Sequence, residues 1–147
     1  MITCTKKLRL EAGHRLQGHE SGCRNVHGHS YVFEVQVTAS ELDSIGRVID
    51  FGEIKRRVGS WLDANFDHAF IFEKGDPIEQ FLIAQGMKRY EFPESPTSEN
   101  LAKYVFRKSI ELLPLEIVVM SVTCHETTTC FSTYSEAQPV HGGTRKQ

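Results

Sequence analysis

The chain has no apolar run of the roughly 18 residues that a membrane span needs. Its first residues, Met1-Ile2-Thr3-Cys4-Thr5-Lys6-Lys7, lack the apolar stretch of a signal peptide, so the cytoplasm is the expected compartment. Charge of one sign is missing too. With 17 Lys and Arg against 19 Asp and Glu the net charge is only −2, and no global field points to a nucleic-acid or membrane partner. Cysteine is scarce, four in 147 residues at irregular spacing, which reads as reduced thiols rather than a disulfide framework. Neither an internal repeat nor an interdomain linker interrupts the chain. One domain is expected over residues 1–138, followed by a polar, disordered tail over 139–147.

What is present begins with alternation. From Lys6 to His14 the residues Leu8, Leu10, Ala12 and His14 share one face of a half-buried strand. After a loop rich in Gly, His and polar residues, His27, His29, Tyr31, Phe33, Val35 and Val37 share one face of a second. Asp50 reads as a helix N-cap with Glu53 as its capping-box partner, and Phe51, Ile54, Val58, Trp61 and Leu62 follow at helical spacing. Short strands are expected around Phe66 to Phe72 and from Tyr90 to Phe92, with a short helix opened by Asp76-Pro77 between them. Thr97 caps a second long helix, with Leu101, Tyr104, Val105 and Leu112 on its buried stripe and Pro114 at its end. Ile117 to Thr123 is β-rich, with Val118, Met120, Val122, Cys124 and Glu126 on one parity, and Phe131 to Tyr134 is a last strand. This order favours α+β, an antiparallel sheet with helices on one face, whose edges a small protein can close by oligomerising into a barrel.

The chemistry concentrates at the strand ends. His27-Gly28-His29 places two imidazoles at i and i+2, on one face of an extended backbone, and His14 ends the preceding strand on its apolar side. Three neutral imidazoles converging on one point make a zinc site with a vacant position, the arrangement used for catalysis. Cys23, four residues before His27, could be a fourth ligand, a free buried thiol or an acid–base group. Cys4, Cys124 and Cys130 have no paired ligand spacing and read as structural. Asp67-His68 could be a carboxylate-held proton-transfer group, although adjacent strand residues point apart. Glu126 follows the apolar parity of its strand, which suits a bidentate acceptor for a planar N–H pair, with a salt bridge or strand-end cap as the plainer role. Glu99 is most simply a first-turn helix acid.

Glu11-Ala12-Gly13-His14-Arg15-Leu16, Cys23-x-x-x-His27-Gly28-His29-Ser30-Tyr31, Val48-Ile49-Asp50-Phe51, Phe66-Asp67-His68, Pro96-Thr97-Ser98-Glu99-Asn100-Leu101-Ala102 and His125-Glu126-Thr127 occur in that order. Together they resemble the 6-pyruvoyltetrahydropterin synthase family over about residues 6 to 135. The resemblance implies the tunnelling fold (T-fold), four antiparallel strands with two long helices on one face. Trimers would close a twelve-stranded barrel, and two of them would stack into a homohexamer. It also implies zinc on His14, His27 and His29, Cys23 as proton acceptor, and Asp67 and His68 acting from a neighbouring subunit. Glu126 would anchor the pterin, helped by Thr97 and Glu99. Three residues between the cysteine and His-Gly-His look like the bacterial 6-carboxytetrahydropterin synthase branch, as does the insertion before Pro96. That branch converts 7,8-dihydroneopterin triphosphate to 6-carboxytetrahydropterin, releasing acetaldehyde and triphosphate, on the route to queuosine. The alternatives are an enzyme of the same class making 6-pyruvoyltetrahydropterin and a non-catalytic domain with a closed structural zinc. Gly13 and Phe66 depart from the family's usual residues at packing positions, and Arg15 and Arg24 are candidate triphosphate contacts.

Overall fold

The alternation around Leu8 and Leu10 runs as strand β1 (Cys4–His14) in the computed structural model, which describes residues 1–136. The tail expected over 139–147, and the last two residues of the domain expected over 1–138, lie outside the described residues. Leu8, Leu10, Ala12 and His14 are buried, while Arg9 and Glu11 between them are exposed. Strand β2 (His27–Ala39) pairs antiparallel with β1, so that His27 lies opposite His14 and His29 opposite Ala12. The inner face of β2 continues through Tyr31, Phe33, Val35 and Val37, all buried. Period-2 patterning thus carries the histidines onto the core face of the sheet.

Asp50 caps the first long helix, α1, by accepting from the Gly52 amide at 2.6 Å. The expected capping box does not form, because the Glu53 carboxylate is taken by Arg56 and Arg57 one turn on. Helix α1 spans 51–65, with a π-helical turn at Lys55–Gly59 between its α-helical ends. Ile54, Val58 and Leu62 are buried, whereas Phe51, at the first turn, is half exposed. Strands β3 (Phe70–Glu73) and β4 (Arg89–Phe92) flank the short helix α2 (Ile78–Ala84). Thr97 caps α3 (Ser98–Leu112), which buries Leu101, Ala102, Val105 and Phe106. Strands β5 (Ile117–His125) and β6 (Phe131–Tyr134) end the described fold.

The four antiparallel strands expected are β1, β2, β5 and β6, but the sheet extends beyond them. Its order is β4-β3-β1-β2-β5-β6, with β3 and β4 added in parallel on the β1 side. A parallel pair needs a crossover of about a dozen residues or more, which the segment containing α2 supplies. The parity expected for β5 also breaks. Gln36 faces Ser121 but Val37 faces Val119, so Met120 is an extra residue that turns Val119 inward and leaves Val118 exposed. Both long helices cover the same face, since Leu10, Phe33 and Val122 join Ile54, Val58, Leu101 and Val105 in one core.

Candidate active site

The end of the β1–β2 pair gathers His14, His27 and His29, with one ligand nitrogen from each lying within 4.8 Å of the others. His14 is only 1% exposed, and its ring lies 4.5 Å from that of His27 and 5.0 Å from that of His29. Two of the rings are oriented from outside. His14 Nδ1 meets the Pro96 carbonyl at 2.9 Å, and His27 Nδ1 meets the Asn25 carbonyl at 2.7 Å. A carbonyl only accepts, so each Nδ1 carries the proton and each Nε2 keeps its lone pair. His14 Nε2 lies 3.1 Å from His29 Nε2, a separation at which two lone pairs repel unless a proton or cation sits between them. Burial, reinforced by His27 and His29 and opposed by the Pro96 carbonyl, lowers the His14 pKa to about 4. Burial also lowers that of His29, against the attraction of Glu126. Neutral imidazoles with converging lone pairs are the donor set of a metal site, and these three residues fit one.

The strands approach closely to achieve this. A Cβ on Gly28 would lie 2.7 Å from the Ala12 carbonyl oxygen, a backbone contact that nothing can relieve without parting β1 from β2. Gly13 is covered by the Phe70 ring, which a Cβ there would meet at 2.8 Å, and this accounts for glycine beside His14.

Cys23 sits on a single 3-10 turn (Gly22–Arg24), partly buried, and is not among the clustered ligands. Its carbonyl accepts from the Leu16 amide at 2.8 Å, drawing the loop back toward the end of β1. Cys124 is a buried core thiol pushed well up by desolvation, burial raises Cys4 as well, and Cys130 is exposed. Glu126 stands one residue past β5 and is partly buried, with Oε1 3.8 Å from His14 Nε2, so it leans onto the cluster instead of entering the core. Thr97 Oγ1 accepts from the Asn100 amide at 3.2 Å as an ordinary cap. The carboxylate of Glu99 is held low, first by its own backbone N–H at the start of α3. Arg24 lies beside Cys23, but Arg15 is committed elsewhere. It grips the buried Asp76 with two nitrogens, Nε to Oδ2 at 2.8 Å, in an internal ion pair. Sequence reasoning passed over Tyr31 except as a core residue. Its ring lies edge-on to His14 and His29, and its buried hydroxyl has no protein partner among the described residues.

Asp67 and His68 are bonded directly, His68 Nδ1 to Asp67 Oδ2 at 2.8 Å. They occupy a turn, not the strand that would point them apart, and His68 has φ of 57°. Asp67 Oδ1 accepts from the Glu11 amide at 2.9 Å, and the His68 amide donates to the Glu11 carbonyl at 2.6 Å. These bonds hold the Asp67 carboxyl below its ordinary range, the Glu11 amide contributing most and His68 next. Glu11 points opposite to His14 on β1, and the His68 side chain, 76% exposed, borders an apolar groove of about 950 Å³ with Phe70, Phe81 and Met87. Among the described residues no hydrogen bond joins His68 to Cys23 or to the three clustered histidines.

The 6-pyruvoyl tetrahydropterin synthase profile matches residues 3–137. The chain belongs to that family. It is 39% identical over 137 residues to the 6-carboxy-5,6,7,8-tetrahydropterin synthase of Rickettsia bellii, an alignment covering 89% of this chain and 98% of the relative. An uncharacterized protein from Wolinella succinogenes shares the fold with a TM-score of 0.81 at 21% identity, over 92% of this chain and 98% of that one. The 6-pyruvoyl tetrahydropterin synthase of Caenorhabditis elegans superposes with a TM-score of 0.65 at 25% identity, over 92% and 96%. The fold is therefore the T-fold, and the chain is a tetrahydropterin synthase of lyase type with a possible three-histidine metal site. No helix among the described residues is long and apolar enough to cross a membrane.

Proposed function

We propose that this chain is a zinc-dependent 6-carboxytetrahydropterin synthase. It would convert 7,8-dihydroneopterin triphosphate and water to 6-carboxy-5,6,7,8-tetrahydropterin, acetaldehyde and triphosphate, in the cytoplasm, on the route to queuosine. The observation that carries this reading is a three-imidazole cluster with Glu126 leaning on it and Cys23 outside it. A closed structural site would have drawn the thiol in as fourth ligand. The names of relatives aligned over nearly their whole length favour the carboxy product over the pyruvoyl one.

His14, His27 and His29 would hold the zinc, which supplies Lewis-acid polarisation of the substrate's side-chain hydroxyl oxygens. Glu126 accepts the N–H pair on the 2-amino-4-oxo edge of the pterin, with Thr97 and Glu99 at the same end of α3 beside it. Cys23 as thiolate removes a side-chain carbon proton, and His68, oriented by Asp67, returns or relays protons through its outward Nε2. Triphosphate leaves by elimination, and the C–C bond breaks in a retro-aldol-like step with water. The Asp67–His68 turn is bonded to the Glu11 backbone of β1, beside the short pairing with β3, and is not hydrogen-bonded to the histidine cluster among the described residues; it would serve the site of a second copy. Only Gly13 and His14 of β1 pair with β3 among the described residues. Most of that edge is open, which supports closure of trimers into a barrel and their stacking into a homohexamer.

Incubating the zinc-loaded protein with 7,8-dihydroneopterin triphosphate and identifying the products by mass spectrometry tests the reading. Carboxytetrahydropterin with acetaldehyde is expected. A pyruvoyl product would move the chain to the other branch, and unchanged substrate would refute the activity.

A further inference from the structure

We infer that Lys88 is a positioning residue that clamps the turn presenting His68 to substrate. This deepens the proposed function, since it rests on His68 handling protons in that reaction. Lys88 lies between α2 and β4, and its side chain reaches back to donate from Nζ to two backbone carbonyls, that of Asp63 at 2.9 Å and that of Asp67 at 2.6 Å. Its own carbonyl accepts from the Phe70 amide at 3.1 Å, so it brackets the turn on both sides.

The turn needs holding. Its His68, with φ of 57°, occupies the left-handed region that a residue with a Cβ enters reluctantly. Such a conformation persists only where its surroundings over-determine it. Glu11 secures the turn from β1, taking the His68 amide at 2.6 Å and giving its own amide to Asp67 Oδ1 at 2.9 Å. Lys88 secures the other side, tying the Asp67 carbonyl to that of Asp63 in the last turn of α1, where carbonyls lack helical partners and a cation is favoured. With both Asp67 oxygens occupied, His68 Nδ1 is fixed inward and Nε2 faces out. The Lys88 charge also adds, behind the hydrogen bonds, to holding Asp67 ionised. Nothing about a lysine between a helix and a short strand marks it for this work, because its partners lie 25 and 21 residues earlier.

Lys88→Met keeps the aliphatic stem and removes the donors, whereas Lys88→Arg keeps the charge and can reach both carbonyls. In the zinc-loaded protein, hydrogen exchange at the amides of His68 and Phe70 is expected to quicken by about tenfold in Lys88→Met, with β2 amides unchanged. The same variant should lose about tenfold or more in kcat for 7,8-dihydroneopterin triphosphate, since small misplacements of a catalytic group are costly. KM should stay within about twofold, and Lys88→Arg should recover most of both effects. Unchanged exchange in Lys88→Met overturns the clamp, as does quickened exchange spread over β2. A looser turn with unaltered kcat overturns its bearing on catalysis. If the wild type leaves the substrate untouched, the proposed function falls, and with it the catalytic part of the inference, while the exchange arm still decides the clamp.

Discussion

At the end of β1 the imidazole of His14 is buried and fixed by the Pro96 carbonyl, with His27 and His29 closed around it; in the turn that leads into β3, His68 stands in the open with a left-handed backbone. The first arrangement is made for holding. Burial suppresses the charged form and the outer carbonyls settle which nitrogen keeps its lone pair, so a cation finds its ligands already oriented. The second is made for exchange, since an exposed ring oriented through Nδ1 can pass protons at Nε2 without rebuilding its surroundings. One chain thus carries a buried histidine cluster and an exposed histidine turn, with His27, His29 and His68 along one groove and no hydrogen bond between turn and cluster among the described residues.

The largest way to break this comparison is to remove a ligand. His27→Ala is expected to lower zinc affinity by more than about 100-fold, beyond the cost of losing an outer-shell partner, as read by competition with a chelating indicator. His68→Ala should retain stoichiometric metal under the same titration. Metal loss in both variants would mean that the two regions form one centre.

Cys23→Ala comes next. The thiol lies outside the ligand cluster, so the variant should bind zinc normally and lose about 10²- to 10⁴-fold in turnover, the usual worth of a positioned acid–base group. Zinc loss in this variant would instead make Cys23 a ligand.

A sharper test asks whether the halves meet across copies. Cys23→Ala and His68→Ala proteins, each inactive alone, would be co-refolded in equal amounts. If every site takes its thiol from one subunit and its imidazole from the next, about a quarter of the sites are intact and activity returns to that level. No recovery would place thiol and imidazole within one chain.

Most of the holding half was legible in the sequence and much of the exchanging half was not. Alternation through Leu10, Ala12 and His14, and through His29, Tyr31 and Phe33, states which way the histidines point, because the side-chain period of a strand is two. The bond between Asp67 and His68 depends on a positive φ that no glycine announces. The Arg15–Asp76 pair joins residues 61 apart, and Lys88 reaches Asp67 over a similarly hidden return of the chain. At Met120 an extra residue shifts the parity of β5 without any compositional mark. The parallel addition of β3 and β4 was equally hidden, since four-residue strands carry too little pattern to name their neighbours.

A last expected effect is on the stability of the metal-free protein, and it separates the two regions by pH. His14 has a folded pKa of about 4, against about 6.5 in the unfolded chain. Above pH 6.5 both states hold it neutral, and it adds no pH dependence. Between 6.5 and 4 the unfolded chain binds a proton that the folded one refuses, so stability falls as pH drops, and below 4 the loss levels off. The lowered pKa corresponds to about 3 kcal/mol lost across that window. Urea denaturation in the presence of chelator, at pH 7.5, 5.5 and 4.0, should show the decline, and His14→Asn should flatten it. Asp67, whose pKa is lowered chiefly by the Glu11 amide, acts in a more acidic range, because its stabilisation is complete above the ordinary carboxylate value and fades only below it. An unflattened slope in His14→Asn would show that the buried imidazole is not what the acid attacks first.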